Sequence, residues 1–319
     1  MGRKCDSRKQ QTECRFKLDD VGFYADIHEP TVQAWVNLGA LDSLPHDHLY
    51  LSACECESRN VVKKLLAANH DAIFVCGSDA SLERFINHLR VLAPNPAKTT
   101  PIGFIPVARS DFAKRFRITL PHGKLTQLTF STQTLNFPEI EGTLAVYIHS
   151  ARMPGEPSFL RHMPPSVRDF LSRSPFSQII PKTQTILCTN EAPTAYTIQQ
   201  NGTFLHSLQK EQVIFHHRLL SFRATPFAFA TPNTAMASSQ VRQFFRVQGI
   251  TFPSLSQALL RAPLQTDFLC QRIRLEFTPP GCLKTASTNT QIQSTLSIAL
   301  SSRPFTCLIP RSCDTAPYP

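Results

Sequence analysis

Between residues 49 and 116 the apolar positions switch repeatedly between two spacings. Leu49–Ser52 is a short apolar run. Val61, Val62, Leu65 and Leu66 then share one face of a helix predicted across Arg59–Ala68. Asp71–Cys76 (DAIFVC) is apolar almost throughout and stops at Gly77, the pattern of a strand buried on both faces of a parallel sheet. Leu82, Phe85, Ile86 and Leu89 follow at i, i+3, i+4 and i+7, which is a helix face. Ile102–Val107 (IGFIPV) repeats the buried-strand pattern, and a short helix is predicted from Asp111. Strand, helix, strand, helix predicts an α/β layer built on a parallel sheet. The first 20 residues carry no such period and read as a tail.

The character changes near residue 125. Leu144–His149, Thr185–Thr189, Tyr196–Gln199, Phe204–Leu208 and Val213–His217 read as strands, with Asn201-Gly202 a hairpin signal between two of them. Leu269, Gln271, Ile273, Leu275 and Phe277 alternate with Cys270, Arg272, Arg274 and Glu276, as in one half-buried strand. Ser254–Arg261 is the single helix expected there. Most of the 25 prolines lie in this half, where strand ends and turns accommodate them. The expected organisation is therefore a tail over 1–20, an α/β domain over 21–125 and an antiparallel, sandwich-like β-rich domain over 126–319.

Length and composition agree with two folded domains: 319 residues, 42% hydrophobic and 18% charged. No apolar run approaches the roughly 20 residues of a membrane-spanning helix. Met1–Lys9 has no secretory segment, and Asp6 stands where a myristoylation signal beginning at Gly2 needs Ser or Thr. A soluble, cytoplasmic protein is the expectation. The formal charge of +10 arises largely because residues 141–319 hold only 8 of the 23 carboxylates. Such a surface favours phosphates or acidic lipid headgroups, so contact with a membrane surface is compatible with it. No basic helix or interleaved aromatic motif accompanies the charge, which excludes a nucleic-acid signature. The ten cysteines include no C-x-x-C, and Cys54 and Cys56 form the closest pair. The spacing predicts reduced, largely buried thiols and no zinc site. His46-Asp47-His48 and His216-His217 lack a second ligand cluster, so they read as a solvated loop and a strand edge.

The candidate chemistry lies between Asp71 and Arg117. Gly77-Ser78-Asp79-Ala80-Ser81 joins a buried strand to an amphipathic helix, the outline of a phosphate site. Small residues let backbone N–H groups approach a phosphate, and the helix N-terminus adds partial positive charge. The Ser81 hydroxyl can donate one further hydrogen bond.

DAIFVCGSDASLERFINHL resembles the catalytic signature of diacylglycerol kinases, in which a strand runs into G-G-D-G-T and a helix. PIGFIPVARSDFAKRF, about 25 residues on, resembles the second signature of that family, which also includes the sphingosine kinases. Gly77 matches the first glycine, Ser78 the second, Asp79 the aspartate, Ala80 the third glycine and Ser81 the threonine. Pro106, Asp111, Phe112, Ala113 and Lys114 match in the second motif, where Ala108-Arg109-Ser110 is one residue shorter than the family's G-T-x-N. The likeness covers residues 50–117.

The resemblance implies an NAD kinase/diacylglycerol kinase-like α/β domain, ATP and magnesium as cofactors, and a lipid hydroxyl as phosphoryl acceptor. It implies nucleotide contacts at Gly77, Ser78, Asp79, Ala80, Ser81, Arg109 and Asp111, with Asp79 toward the metal. Lys114, Arg115 and Arg117 add positive charge there or form an exposed helix face. The catalytic base has no identified residue: Ser238-Ser239 stand where the family carries Asp-Gly. Its later D-G-E motif should fall near Gln291–Ser301, yet no carboxylate lies between Glu276 and Asp314. Losing general-base help alone removes about 10²–10⁴ in rate. If the turn needs φ > 0 at Ser78 or Ala80, a β-carbon there costs on the order of 1–3 kcal/mol. A lipid kinase-like protein with impaired or lost turnover is thus the first reading. The alternatives are an active lipid kinase with displaced carboxylates, an NAD kinase-like or non-catalytic binding protein of the same fold, and an unrelated α/β protein.

Overall fold

The computed structural model describes residues 13–14, 16–39, 44–93, 100–116, 118, 130–151, 185–190, 197–200, 203–206, 212–215, 219–227, 244–251, 264–278, 281–292 and 295–310. In chain order these give β1 (Glu13–Cys14), β2 (Val21–Asp26), α1 (Pro30–Asn37), β3 (Leu49–Ser52), α2 (Glu55–Ala67), β4 (Ala72–Gly77), α3 (Asp79–Leu92), β5 (Ile102–Pro106), α4 (Asp111–Phe116) and β6 (Phe130–Leu135). Strands β7 (Pro138–Ile140), β8 (Thr143–Leu144), β9 (Ile148–Ala151), β10 (Thr185–Asn190), β11 (Thr197–Gln200), β12 (Thr203–His206), β13 (Gln212–Phe215) and β14 (Leu219–Phe227) follow. The remainder are β15 (Phe244–Thr251), β16 (Leu264–Cys270), β17 (Arg272–Thr278), β18 (Gly281–Lys284), β19 (Asn289–Ile292), β20 (Thr295–Leu300) and β21 (Phe305–Pro310).

The chain divides into two units, residues 1–135 with 303–319, and residues 136–302. The first holds a seven-stranded sheet in the order β1-β6-β21-β5-β4-β2-β3. Strands β3, β2, β4, β5 and β21 run parallel, and β6 pairs antiparallel with β21 on one side and with β1 at the edge on the other. Helices cover both faces, because alternate residues of the central strands are apolar on each side. Val21, Phe23, Ala25, Ala72, Phe74 and Cys76 share one core with Val32 of α1. Tyr24 lies on the opposite face, its ring 5.1 Å from that of Phe85 in α3. Asn69, at φ 53°, follows the end of α2 in the left-handed turn that Asn tolerates.

The second unit contains two six-stranded antiparallel sheets, β13-β10-β17-β20-β7-β8 and β16-β15-β14-β9-β18-β19, and the hairpin β11-β12. Residues from both large sheets meet in one core: Ile273, Leu275 and Ile298 from the first, Ile148, Ala224 and Leu283 from the second. This is the expected sandwich-like, antiparallel architecture. Gln200 pairs with Thr203 across the hairpin that Asn201-Gly202 announces.

Several expectations change in detail. Val21–Asp26 is a central strand that the periodic reading passed over. The alternation over 269–277 is divided at Gln271 between β16 and β17, which belong to different sheets. Cys270 is consequently buried and not on the polar face. Phe305–Pro310 returns to pair parallel with β5 in the first unit, whereas the sequence assigned all of 126–319 to the second. Cys54 and Cys56 are joined in a disulfide, not reduced, while Cys76, Cys270 and Cys307 are buried. His48 Nδ1 lies 3.2 Å from the Val21 carbonyl oxygen, a structural contact in a short 3₁₀ turn. His216-His217, Ser254–Arg261 and Ser238-Ser239 fall outside the described residues. No helix among the described residues is long and apolar enough to cross a membrane.

Candidate functional site

Strand β4 delivers Gly77 to the carboxyl edge of the parallel strands, and α3 begins two residues later at Asp79. The five-residue turn anticipated over Gly77–Ser81 is therefore a single linking residue, Ser78, followed by the first turn of the helix. Ser78 is the N-cap at φ −86° and ψ 174°, extended backbone that a side chain adopts without strain. The described non-glycine residues with positive φ are Asn69 and Glu141, so Ala80 carries no such strain either.

Ser78 and Ser81 form a reciprocal capping box. The Ala80 and Ser81 amides donate to Ser78 Oγ at 3.1 and 3.3 Å, and the Ser78 amide donates to Ser81 Oγ at 3.3 Å. A phosphate cradle presents such amides to its ligand; here three of them are satisfied within the turn. Gly77 is required by packing. A β-carbon there would stand 2.5 Å from Ser81 Cβ and nearer still to Ser81 Oγ.

Asp79 is 7% exposed and turns away from the turn that carries it. Its Oδ1 accepts from Ser110 Oγ, and its Oδ2 accepts from the amides of Asp111 and Phe112 at 2.8 and 3.4 Å. Ser110 Oγ in turn accepts from the Ala113 amide at 2.8 Å. The aspartate of the first motif therefore caps α4, the helix of the second motif. Burial raises the carboxyl pKa of Asp79, partly offset by the bonds from Ser110, Asp111 and Phe112. Both oxygens thus accept hydrogen bonds at the start of α4, and capping that helix is the role the structure gives Asp79. Among the described residues no group of three or more His, Cys, Asp or Glu side chains could hold a metal ion. Arg109 and Lys114 are exposed, Asp111 and Arg115 are half-buried, and Arg117 lies outside the described residues.

The carboxylate that faces Ser78 comes from outside both sequence motifs. Ser78 Oγ donates to Glu29 Oε2 at 2.7 Å. Arg84, one helical turn into α3, donates to Glu29 and, through Nε at 3.1 Å, to Asp26 Oδ2. Asp26 is fully buried and also accepts from Tyr24 and, at 3.3 Å, from Ser58 Oγ. Burial opposes the Arg84 charge, but Asp26 and Glu29 outweigh it and hold the guanidinium pKa above its ordinary value. Burial, then the Asp26 charge, push the Tyr24 hydroxyl pKa well above its usual range. Two carboxylates and one guanidinium leave this cluster with a net charge of −1. The signal in the sequence is an apolar run, VGFYA, that ends in a buried-strand aspartate with Glu29-Pro30 just beyond.

No known family matches the sequence, and no curated protein matches it. The fold does have known counterparts. Two solved structures from Bacillus anthracis str. Sterne, each provisionally assigned as a diacylglycerol kinase, superpose with TM-scores of 0.52 and 0.51. The first is 12% identical, with 90% of this chain and 95% of that chain covered. The second is 11% identical, covering 92% and 98%. The chain thus has a diacylglycerol kinase-like fold, an α/β sheet with helices followed by antiparallel sheets.

Proposed function

We propose that this protein is a non-catalytic or nearly inactive member of the diacylglycerol kinase-like fold, a binding or regulatory module in which ATP-dependent phosphoryl transfer to lipid is impaired or lost. The observation that carries this reading is the occupancy of the turn at Ser78. Its amides are spent in the capping box, and its hydroxyl is bonded to Glu29. A polyphosphate approaching Ser78 would have to displace a carboxylate and accept a neighbouring cluster of net charge −1. The lack of a carboxylate between Glu276 and Asp314 supports the same reading from the side of the general base.

In this proposal Gly77, Ser78, Ala80, Ser81, Arg109 and Asp111 outline the surface that nucleotide would meet, and Asp79 positions α4 instead of holding a metal. The basic second half would favour anionic lipid at a membrane surface. Purified protein incubated with magnesium-ATP and diacylglycerol, sphingosine or monoacylglycerol tests the reading. No robust phosphorylation is expected, in line with losses of about 10²–10⁴ from the missing base alone. Robust transfer to any of the three overturns it. Glu29→Gln removes the competing charge at Ser78, so the thermal shift produced by ATP should increase in that variant. An unchanged or smaller shift would place the nucleotide elsewhere.

A further inference from the structure

The Cys54–Cys56 disulfide closes a loop of only three residues, with Cα atoms 5.4 Å apart. Loop-closure stabilisation grows with the number of residues enclosed, so this bond does little to hold the fold. Its position is unlike that of Cys76, Cys270 and Cys307. Cys54 is the N-cap of α2 and is half-buried, and Cys56, two residues on, is exposed. Cys76, Cys270 and Cys307 are buried, and burial pushes the Cys307 thiol up to about 12. The positive end of the α2 dipole lies at the bonded pair, with Glu55 and Glu57 in the same turn opposing it. Thiol–disulfide exchange needs an accessible sulfur and a thiolate, and this pair supplies the accessible sulfur.

The pair is also connected to the candidate site. The Cys54 carbonyl oxygen accepts from Ser52 Oγ at 2.9 Å and lies 3.4 Å from Ser58 Oγ, and these two hydroxyls are 2.8 Å apart. Ser58 Oγ donates onward to Asp26, Asp26 holds Arg84, Arg84 holds Glu29, and Glu29 accepts from Ser78 at the start of α3. Ser52, Ser58 and Asp26 are buried, so water does not readily replace a bond lost along this path.

We propose that Cys54 and Cys56 form a reversible dithiol/disulfide site, exchanging with low-molecular-weight disulfides, whose oxidation state is transmitted through Ser58, Asp26, Arg84 and Glu29 to the Ser78 cap. In oxidation the Cys56 thiolate attacks one sulfur of a disulfide R–S–S–R, forming a mixed disulfide and releasing one thiolate. The Cys54 thiolate then attacks Cys56 Sγ and releases the second. Two protons pass from the cysteines to the leaving thiolates, so dithiol plus R–S–S–R gives protein disulfide plus two R–SH. Reduction is the reverse, with a thiol as reductant. The Cys54 carbonyl also accepts from the Glu57 amide at 3.1 Å as the first bond of α2, so opening the disulfide is expected to loosen this N-cap and with it the placement of Ser58 beside Asp26. The proposal concerns the geometry of the turn and does not depend on what binds there.

The test equilibrates the full-length protein in glutathione buffers of graded oxidised-to-reduced ratio. Thiols are trapped by alkylation and mapped by peptide, and hydrogen exchange is followed across residues 78–82. Cys54 and Cys56 are expected to interconvert together with the native circular dichroism retained, and reduction should accelerate exchange in 78–82 by roughly tenfold or more. Ser58→Ala should keep the cysteine titration but abolish its effect on 78–82. A pair that stays as free thiols in fully oxidised buffer, or that opens only on unfolding, overturns the site. Identical exchange across 78–82 in the oxidised and reduced wild-type protein overturns the connection, and that comparison needs no variant to fold.

Discussion

At the scale of single residues, Gly77 decides whether the strand can hand over directly to the helix. Its missing β-carbon is the space that Ser81 occupies, and Ser81 is fully buried with no room to retreat. Gly77→Ala should therefore push the first turn of α3 away from β4, at about 1–3 kcal/mol for an overpacked site. Ser78→Ala removes only the cap and should cost about 0.5–2 kcal/mol. Both can be read as shifts in denaturation midpoint by fluorescence of Trp35, the single tryptophan, which packs in the first unit. Gly77, Ser78 and Asp79 were legible in the sequence because a strand running into small polar residues and then a helix is a local pattern. Glu29 was not. It meets Ser78 across 49 positions of sequence, and no local spacing predicts that a carboxylate will sit where a phosphate was expected.

At the scale of elements, the link between α3 and α4 rests on one carboxylate. Asp79 leaves the first turn of α3 and caps α4 through Ser110, Asp111 and Phe112, which ties the two motifs together more firmly than their sequence separation suggests. Asp79→Ala strands those donors in a buried place and should cost about 1–3 kcal/mol. The pH dependence has a definite sign. Burial raises the carboxyl pKa in the folded chain, so the neutral form is the better tolerated one. The stability it contributes is complete below the unfolded value near ~4 and is lost as pH rises through the higher folded value. Asp79→Asn cannot titrate, so the difference in midpoint between wild type and Asp79→Asn should change over that interval and level off above it. A flat difference would mean that Asp79 ionises normally. Elements whose residues repeat strongly, such as α3 with Leu82, Phe85, Ile86 and Leu89 all buried, were readable from spacing alone. The division at Gln271 was not, because β16 and β17 continue one alternation while joining different sheets.

At the scale of the whole chain, the order of the first sheet depends on its last strand. β21 lies between β5 and β6, so the sheet is complete only once residue 310 has been added to one that begins near residue 13. FTCLIP is not among the strands read from local periodicity, a parallel partner about 200 positions earlier leaves no trace there, and the neighbouring strands of the second unit make its assignment to 126–319 the natural one. Phe305, Leu308 and Ile309 are buried there. At about 1.5–3 kcal/mol for each such side chain, they supply roughly 5–9 kcal/mol, comparable to the whole stability of an ordinary domain. Ending the chain at Ser302 should therefore abolish cooperative unfolding of the first unit, seen as loss of the Trp35 fluorescence transition and rapid proteolysis within 21–116. The six-stranded sheets of the second unit keep all their strands in this truncation, so their β-sheet circular dichroism should persist. Retention of the Trp35 transition would show that β1 to β6 hold together without the strand that now separates β5 from β6.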